Sequence, residues 1–269
     1  MASKLRLTEQ QVHHYNEEGY VVYNQSVFPE AKFNGLKDYF EELLEAQVRA
    51  GKRPEAMDKP HFLHPRLFEW ALDDTILDLV EPLLGPDFHL FATHFICKPQ
   101  GDGKRVPWHE DSAYWKGIMH PIKALTVWLA IDPSTCENGC MFVVPRSHVQ
   151  WRKGYSDYKG VDISKSVFPT EIVEPQQHGD LGAPCILKPN ECSLHDCRMI
   201  HGSEPNTSAI RRCGFTMRFV PADVRLSPEW ESCQGFYPAR GRDKAGNTLL
   251  DPTRTYPQLA EETRIKRVH

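Results

Sequence analysis

With 269 residues, 40% of them hydrophobic and 25% charged, and with 17 Gly and 21 Pro, the chain has the composition of a soluble globular protein, which excludes collagen-like, low-complexity and disordered readings. Its 32 basic and 36 acidic side chains give a formal charge of −4, so there is no electrostatic case for nucleic acid or an anionic membrane as partner. No run reaches the roughly 20 apolar residues of a membrane helix, Met1 to Leu7 has no secretory apolar segment, and Arg267-Val268-His269 is not a peroxisomal tail; a cytoplasmic protein is expected.

The first predicted element is a helix that starts at Thr8, with Gln11 at the capping-box position, and stops near Gly19. Tyr20 to Tyr23 reads as a short strand. Phe33, Leu36, Phe40, Leu43, Leu44 and Val48 recur at helical spacing and predict an amphipathic helix over 31–50. A third helix is expected from Asp74 to Leu84, ended by Gly85-Pro86. After Gly85 the texture turns to short β-rich runs at 88–98, 124–131, 141–144, 183–187 and 212–220. No internal repeat or linker divides the chain. The expected architecture is mostly β, a double-sheet barrel or jelly roll with N-terminal helices packed outside. Residues 1–85 would form a mainly helical flank, 86–220 the barrel core, and 221–269 a polar tail or lid, all in one domain.

Eight cysteines are too few for a disulfide scaffold and contain no Cys-x-x-Cys, so reduced thiols are expected. Thirteen histidines invite a metal search. Two imidazoles and one carboxylate on one face of Fe(II) leave three positions open, and His-x-Asp followed later by another His supplies that set. Of the two matches, His109-Glu110-Asp111 follows Val106-Pro107-Trp108, where a strand runs into a loop. His178-Gly179-Asp180 sits among Pro and Gly, a poor platform for orienting ligands. His109 and Asp111 are therefore favoured. The third ligand is His201, in Ile200-His201-Gly202-Ser203, or its rival His195.

Period-2 alternation over 212–220 separates Cys213, Phe215, Met217 and Phe219 from Arg212, Gly214, Thr216 and Arg218, and directs the second set into a polar interior. Over 124–131, Leu125, Val127, Leu129 and Ile131 oppose Thr126, Trp128 and Ala130. Over 88–98, Leu90, His94, Ile96 and Lys98 share a face. Tyr114, Trp115 and Phe142 are candidates for an apolar pocket, and Arg218, Arg240 and Arg242 for meeting an anionic substrate or solvent.

Taken in order, Trp108-His109-Glu110-Asp111, Trp128, Asn138-Gly139-Cys140-Met141 leading to Val144-Pro145-Arg146-Ser147-His148, His201-Gly202-Ser203 with Asn206, and Arg212 resemble the phytanoyl-CoA dioxygenase family of Fe(II)- and 2-oxoglutarate-dependent oxygenases. The resemblance runs from about Thr8 to Val220. It implies a double-stranded β-helix in which His109, Asp111 and His201 bind iron. Arg212, eleven residues after His201, would grip the distal carboxylate of 2-oxoglutarate, while Ser203, Trp128, Thr126 and His94 line its pocket. The segment from Asn138-Gly139 to Ser147-His148 would be a structural turn and strand.

The implied reaction consumes 2-oxoglutarate and O2, releases succinate and CO2, and hydroxylates or otherwise oxidises an unactivated C–H bond of a small molecule. The family's substrates include acyl-CoA esters, amino-acid-like solutes and natural-product scaffolds, and no protein partner is expected. An iron halogenase on the same fold would carry a small residue where Asp111 stands. A zinc hydrolase would need a general base near His109, which is not evident. A non-catalytic jelly-roll binding protein would have no use for the whole set of His109, Asp111, His201 and Arg212.

Overall fold

A computed structural model describes residues 6–150 and 157–266; Met1 to Leu5 and Arg267 to His269, read above for targeting signals, lie outside the described residues. Helix α1 (Glu9–Glu18) begins with the capping box its sequence announces: Gln11 N donates to Thr8 Oγ1 and Thr8 N to Gln11 Oε1. It ends at Gly19, whose φ of 83° only glycine adopts without strain. Glycine is doubly required there, because a Cβ would stand 2.2 Å from Met199 Sδ. Helix α2 (Glu30–Arg49) buries Phe33, Leu36, Phe40 and Leu43. Val48, expected on the same stripe, is 53% exposed. Twelve residues at 3.6 per turn leave it about 120° from Leu36, off the packed face. Helix α3 (Asp74–Leu84) is capped by the Asp73 side chain.

Two antiparallel sheets are built from β1 (Tyr20–Tyr23), β2 (Phe88–Lys98), β3 (Val106–His109), β4 (Leu125–Ala130), β5 (Met141–Val143), β6 (Ala183–Cys185), β7 (Cys192–Asp196), β8 (His201–Ser203), β9 (Arg212–Pro221) and β10 (Tyr237–Arg240). The larger runs β1–β7–β4–β9–β2–β10, with Met57–Asp58 also pairing to β2. The smaller runs β6–β5–β8–β3. This is the two-sheet arrangement of a double-stranded β-helix. The large sheet crosses the expected segment boundaries at both ends, since β1 comes from the helical flank and β10 from the polar C-terminal stretch. Pro238 confines β10 to the sheet edge, where a missing N–H leaves no ladder bond broken.

Alternation assigns the two faces of the large sheet. Leu125, Val127, Leu129, Cys213, Phe215, Met217 and Phe219 join residues of α2 and α3 in the main hydrophobic core. The opposite face carries Thr126, Trp128, His195, Arg212, Thr216 and Arg218, and these line a cavity shared with β3, β5 and β8. Leu90 is a correction. It packs in the helix-side core and not beside His94, because Phe91 is an extra residue between the pairs Ala92–Arg218 and Leu90–Phe219. A bulge of one residue reverses every side chain beyond it.

All eight cysteines are free thiols, seven of them buried and Cys136 exposed. Among the described residues no helix is long and apolar enough to cross a membrane. Gly214 provides a test of packing: a Cβ there would meet Trp128 Cζ2 at 2.2 Å, so the buried indole would have to shift from its packed position. Gly214→Ala is expected to destabilise the protein by about 2 kcal/mol, a drop of several degrees in Tm by calorimetry. An unchanged Tm would show that the indole repacks freely.

Candidate metal centre

His109 ends β3 and His201 opens β8, and the two are registered opposite each other in the small sheet. Asp111 follows two residues after His109, at the start of a single helical turn, Asp111–Tyr114. All three side chains are buried, and one ligand atom from each lies within 4.8 Å of the others. Among the described residues this is the group of His, Cys, Asp and Glu able to hold a metal. The imidazole centroids are 4.1 Å apart, and His109 Nε2 is 3.7 Å from Asp111 Oδ1.

The surrounding bonds prepare these ligands. His109 Nδ1 is 2.7 Å from Pro107 O, and His201 Nδ1 is 2.9 Å from Met199 O. A carbonyl accepts only from N–H, so both rings carry a proton on Nδ1, which leaves Nε2 as the atom that could bind a metal. Burial in the first place, and the neighbouring histidines next, hold His201 well below the ordinary imidazole range, so it stays neutral. Burial opposes ionisation of Asp111, but the Arg218 guanidinium beside it holds its carboxyl well below the usual carboxylate range. Its Oδ2 accepts from Thr126 Oγ1 at 3.2 Å and faces Arg218 Nε at 3.4 Å. Two imidazole nitrogens and a carboxylate oxygen, each with its outer atom tied, fit a divalent transition metal with open positions.

Arg212 is fully buried at the far end of the same strand face. Its Nε and Nη2 both donate to Gly139 O, at 3.0 and 2.5 Å, and its guanidinium lies 5.2 Å over the Trp128 ring. Lys98, registered opposite Arg212, is buried as well and donates to the carbonyls of Ser203 and Glu204. Burial, with Arg212 adding to it, pulls Lys98 well below its usual range; burial also lowers Arg212, to about 10. Neither cation has a carboxylate within ion-pairing distance among the described residues. Two such cations side by side favour an anion in the adjoining space. Ser203 Oγ, buried in the same cavity, has no hydrogen-bond partner among the described residues.

The other candidates divide clearly. Thr126, Trp128 and His94 all line the cavity beside the triad. Thr126 spends its hydroxyl on Asp111, and His94 is held by Glu55 O and Asp58. His195 enters the cavity too, with its ring centroid 4.8 Å from that of His201. It lies outside the ligand group, and burial above all lowers it to about 4. His178 and Asp180 lie elsewhere, in and just after a 3-10 turn. A larger cavity of about 530 Å3 adjoins Asp111, with Tyr114 and Trp115 in its wall but not Phe142. Phe142 instead pairs along the small sheet. Arg240 is taken up by Asp74, Asp78 and Glu81, and Arg242 does not line this cavity.

Three contributions escape sequence reading: the Gly139 carbonyl as acceptor for Arg212, Lys98 beside it, and Arg218 on Asp111. The first had a faint signal in Asn138-Gly139. Asn138 closes the turn by accepting from Thr135 N and donating to Pro133 O. Gly139 then takes a φ of 77°, and a Cβ there would meet Glu204 O at 2.5 Å. The turn is structural, and its carbonyl positions the buried arginine.

The sequence profile of phytanoyl-CoA dioxygenase (PhyH) matches residues 15–214. A phytanoyl-CoA dioxygenase domain-containing protein 1 homolog of Dictyostelium discoideum is 29% identical over 167 residues, covering 61% of this chain and 57% of that protein. A probable alpha-ketoglutarate-dependent hypophosphite dioxygenase of Stutzerimonas stutzeri is also 29% identical, over 176 residues, covering 62% of this chain and 57% of that protein. The alignments thus span little more than half the length of these relatives. The solved structure of the non-heme monooxygenase ThoJ, in its apo form, superposes with a TM-score of 0.73 at 21% identity, covering 96% of this chain and 94% of that one.

Proposed function

The chain belongs to the phytanoyl-CoA dioxygenase family, and from that premise we propose that it is an Fe(II)- and 2-oxoglutarate-dependent oxygenase acting on a C–H bond of a small organic molecule. The observation that carries this reading is the buried group of His109, Asp111 and His201 on the same cavity as Arg212. Iron and 2-oxoglutarate, when bound with O2, supply an oxidant strong enough for unactivated C–H bonds, with succinate and CO2 as co-products.

The chain's own residues then have distinct tasks. His109 Nε2, His201 Nε2 and Asp111 Oδ1 would hold the metal, while Thr126 and Arg218 keep Oδ2 turned away from it. Arg212 would grip the distal carboxylate of 2-oxoglutarate, with Lys98 behind it adding positive potential. Ser203 offers a hydroxyl to the same ligand. Trp128, Ile96, Met141 and Val167 surround the cavity with apolar surface and exclude water from the reacting centre. The 530 Å3 cavity next to Asp111 would take the substrate. Asp111 occupies the position a halogenase leaves vacant for chloride, so chlorination is not part of this reading.

The test is succinate formation by the purified chain. Release should require Fe(II), 2-oxoglutarate and O2 together, rise with a matching substrate, and be indifferent to chloride. Absence of iron-dependent succinate across a broad panel of small molecules would overturn the proposal and favour a binding protein.

A further inference from the structure

We propose that the 530 Å3 cavity takes a compact organic acid, an apolar body bearing one carboxylate or comparable oxyanion, and that Arg218 is the anchor for that anion. The proposal rests on the oxygenase reading above and narrows its substrate class.

Strand β9 turns two arginines inward, six residues and roughly 20 Å apart along one face. Arg212 faces the smaller cavity only, whereas Arg218 lines both and stands where they meet at Asp111. The larger cavity has Phe91, Trp115, Ile118 and Trp230 as an apolar wall. Its charged lining is unbalanced, with Arg53, Lys59, Lys104 and Arg218 against Glu55, Asp58 and Asp111. Three of those cations are engaged: Arg53 by Glu55 and Asp102, Lys104 by Ile163 O, and Lys59 by Gln234.

Arg218 is held more loosely. Its side chain is only 12% exposed, yet its contacts are long: Nε to Asp111 at 3.4 Å and Nη1 to Thr216 Oγ1 at 3.3 Å. Both distances sit at the weak end of hydrogen bonding. Its Nη2 has no hydrogen-bond partner among the described residues. A metal on Asp111 would draw that carboxylate's charge toward itself, leaving the guanidinium still less compensated. The Trp115 ring lies 5.8 Å from its Cζ, within cation–π range, and lines the same cavity. A carboxylate that takes Nη2 and displaces one of the two long contacts would satisfy two parallel donors at once. The substrate's apolar body would then lie along Phe91, Trp115 and Trp230. The last of these comes from the C-terminal segment, which also contributes Cys233, Gln234 and Thr263 to the wall.

The experiment uses one- to three-ring carboxylic acids, each beside its methyl ester and primary amide. They are titrated calorimetrically under nitrogen into the full chain loaded with Fe(II) and 2-oxoglutarate, and assayed in air for succinate release. Acids should bind and stimulate succinate, with esters and amides at least about tenfold weaker. Arg218→Gln should weaken the acid about 100-fold and its amide much less. Arg218→Lys, which keeps a cation beside Asp111 but loses the planar fork, should weaken the acid about tenfold with iron still bound. Equal losses of acid and amide in both variants would reduce Arg218 to a support for Asp111 and overturn the proposal. So would preference for esters, amides or amines, or failure of every acid to bind. Succinate formed with neutral compounds would leave the oxygenase reading intact while this inference fails; no iron-dependent succinate with any compound would remove the reading itself.

Discussion

Replacing His201 by alanine is expected to abolish stoichiometric Fe(II) binding, and with it succinate formation, while His195→Ala retains both iron and the triad. The two histidines sit with their rings 4.8 Å apart, in one cavity, so general damage to the cavity would affect both variants. Their environments differ in one decisive respect. His201 Nδ1 is tied to Met199 O, which fixes the tautomer and directs Nε2 toward His109 and Asp111. Neither nitrogen of His195 has a protein partner among the described residues, and neither belongs to the ligand group. Removing one of three ligands should weaken Fe(II) by well over the roughly 100-fold that outer-partner changes cost. Iron per chain, measured after gel filtration, checks this directly. Full occupancy in His201→Ala, or loss of iron in His195→Ala alone, would transfer the ligand role to His195.

Arg212→Ala should raise the dissociation constant for 2-oxoglutarate about 100-fold, equivalent to roughly 3 kcal/mol, with Fe(II) binding almost unchanged. The magnitude follows from burial and from the absence of an alternative counter-charge. Arg212 and Lys98 are both buried cations whose bonds go only to carbonyl oxygens, so a dicarboxylate entering the cavity meets positive charge that is not already neutralised. Arg212→Lys should recover little, because an ammonium cannot reproduce two parallel donors. Titration of the iron-loaded protein with 2-oxoglutarate under nitrogen gives the affinity without turnover. Wild-type affinity in Arg212→Ala would place the carboxylate anchor elsewhere and remove the second support of the oxygenase reading.

What the sequence determined by itself was local or periodic. A capping box and a left-handed glycine set the ends of α1. Alternation along 212–220 placed Arg212, Thr216 and Arg218 on one face, since an unbulged strand has a side-chain period of two. His109 and Asp111 were legible because they are two residues apart at the end of one strand. His201 was legible only together with the ordered motifs of the family, because nothing local separates it from His195.

Tertiary structure decided whatever depends on pairing between distant segments. The bulge at Phe91 moved Leu90 to the other face, and a bulge is a property of two strands in register, not of one. The Gly139 carbonyl meets Arg212 across 73 residues of chain, and Arg218 reaches Asp111 across 107. Strand β10 joins the sheet despite its proline-bearing sequence within a polar C-terminal stretch, because the edge of β2 was left for it and an edge strand tolerates proline. Spacing along one chain encodes which side chains can share a face; which of them meet across a cavity is set by how the two sheets close on each other.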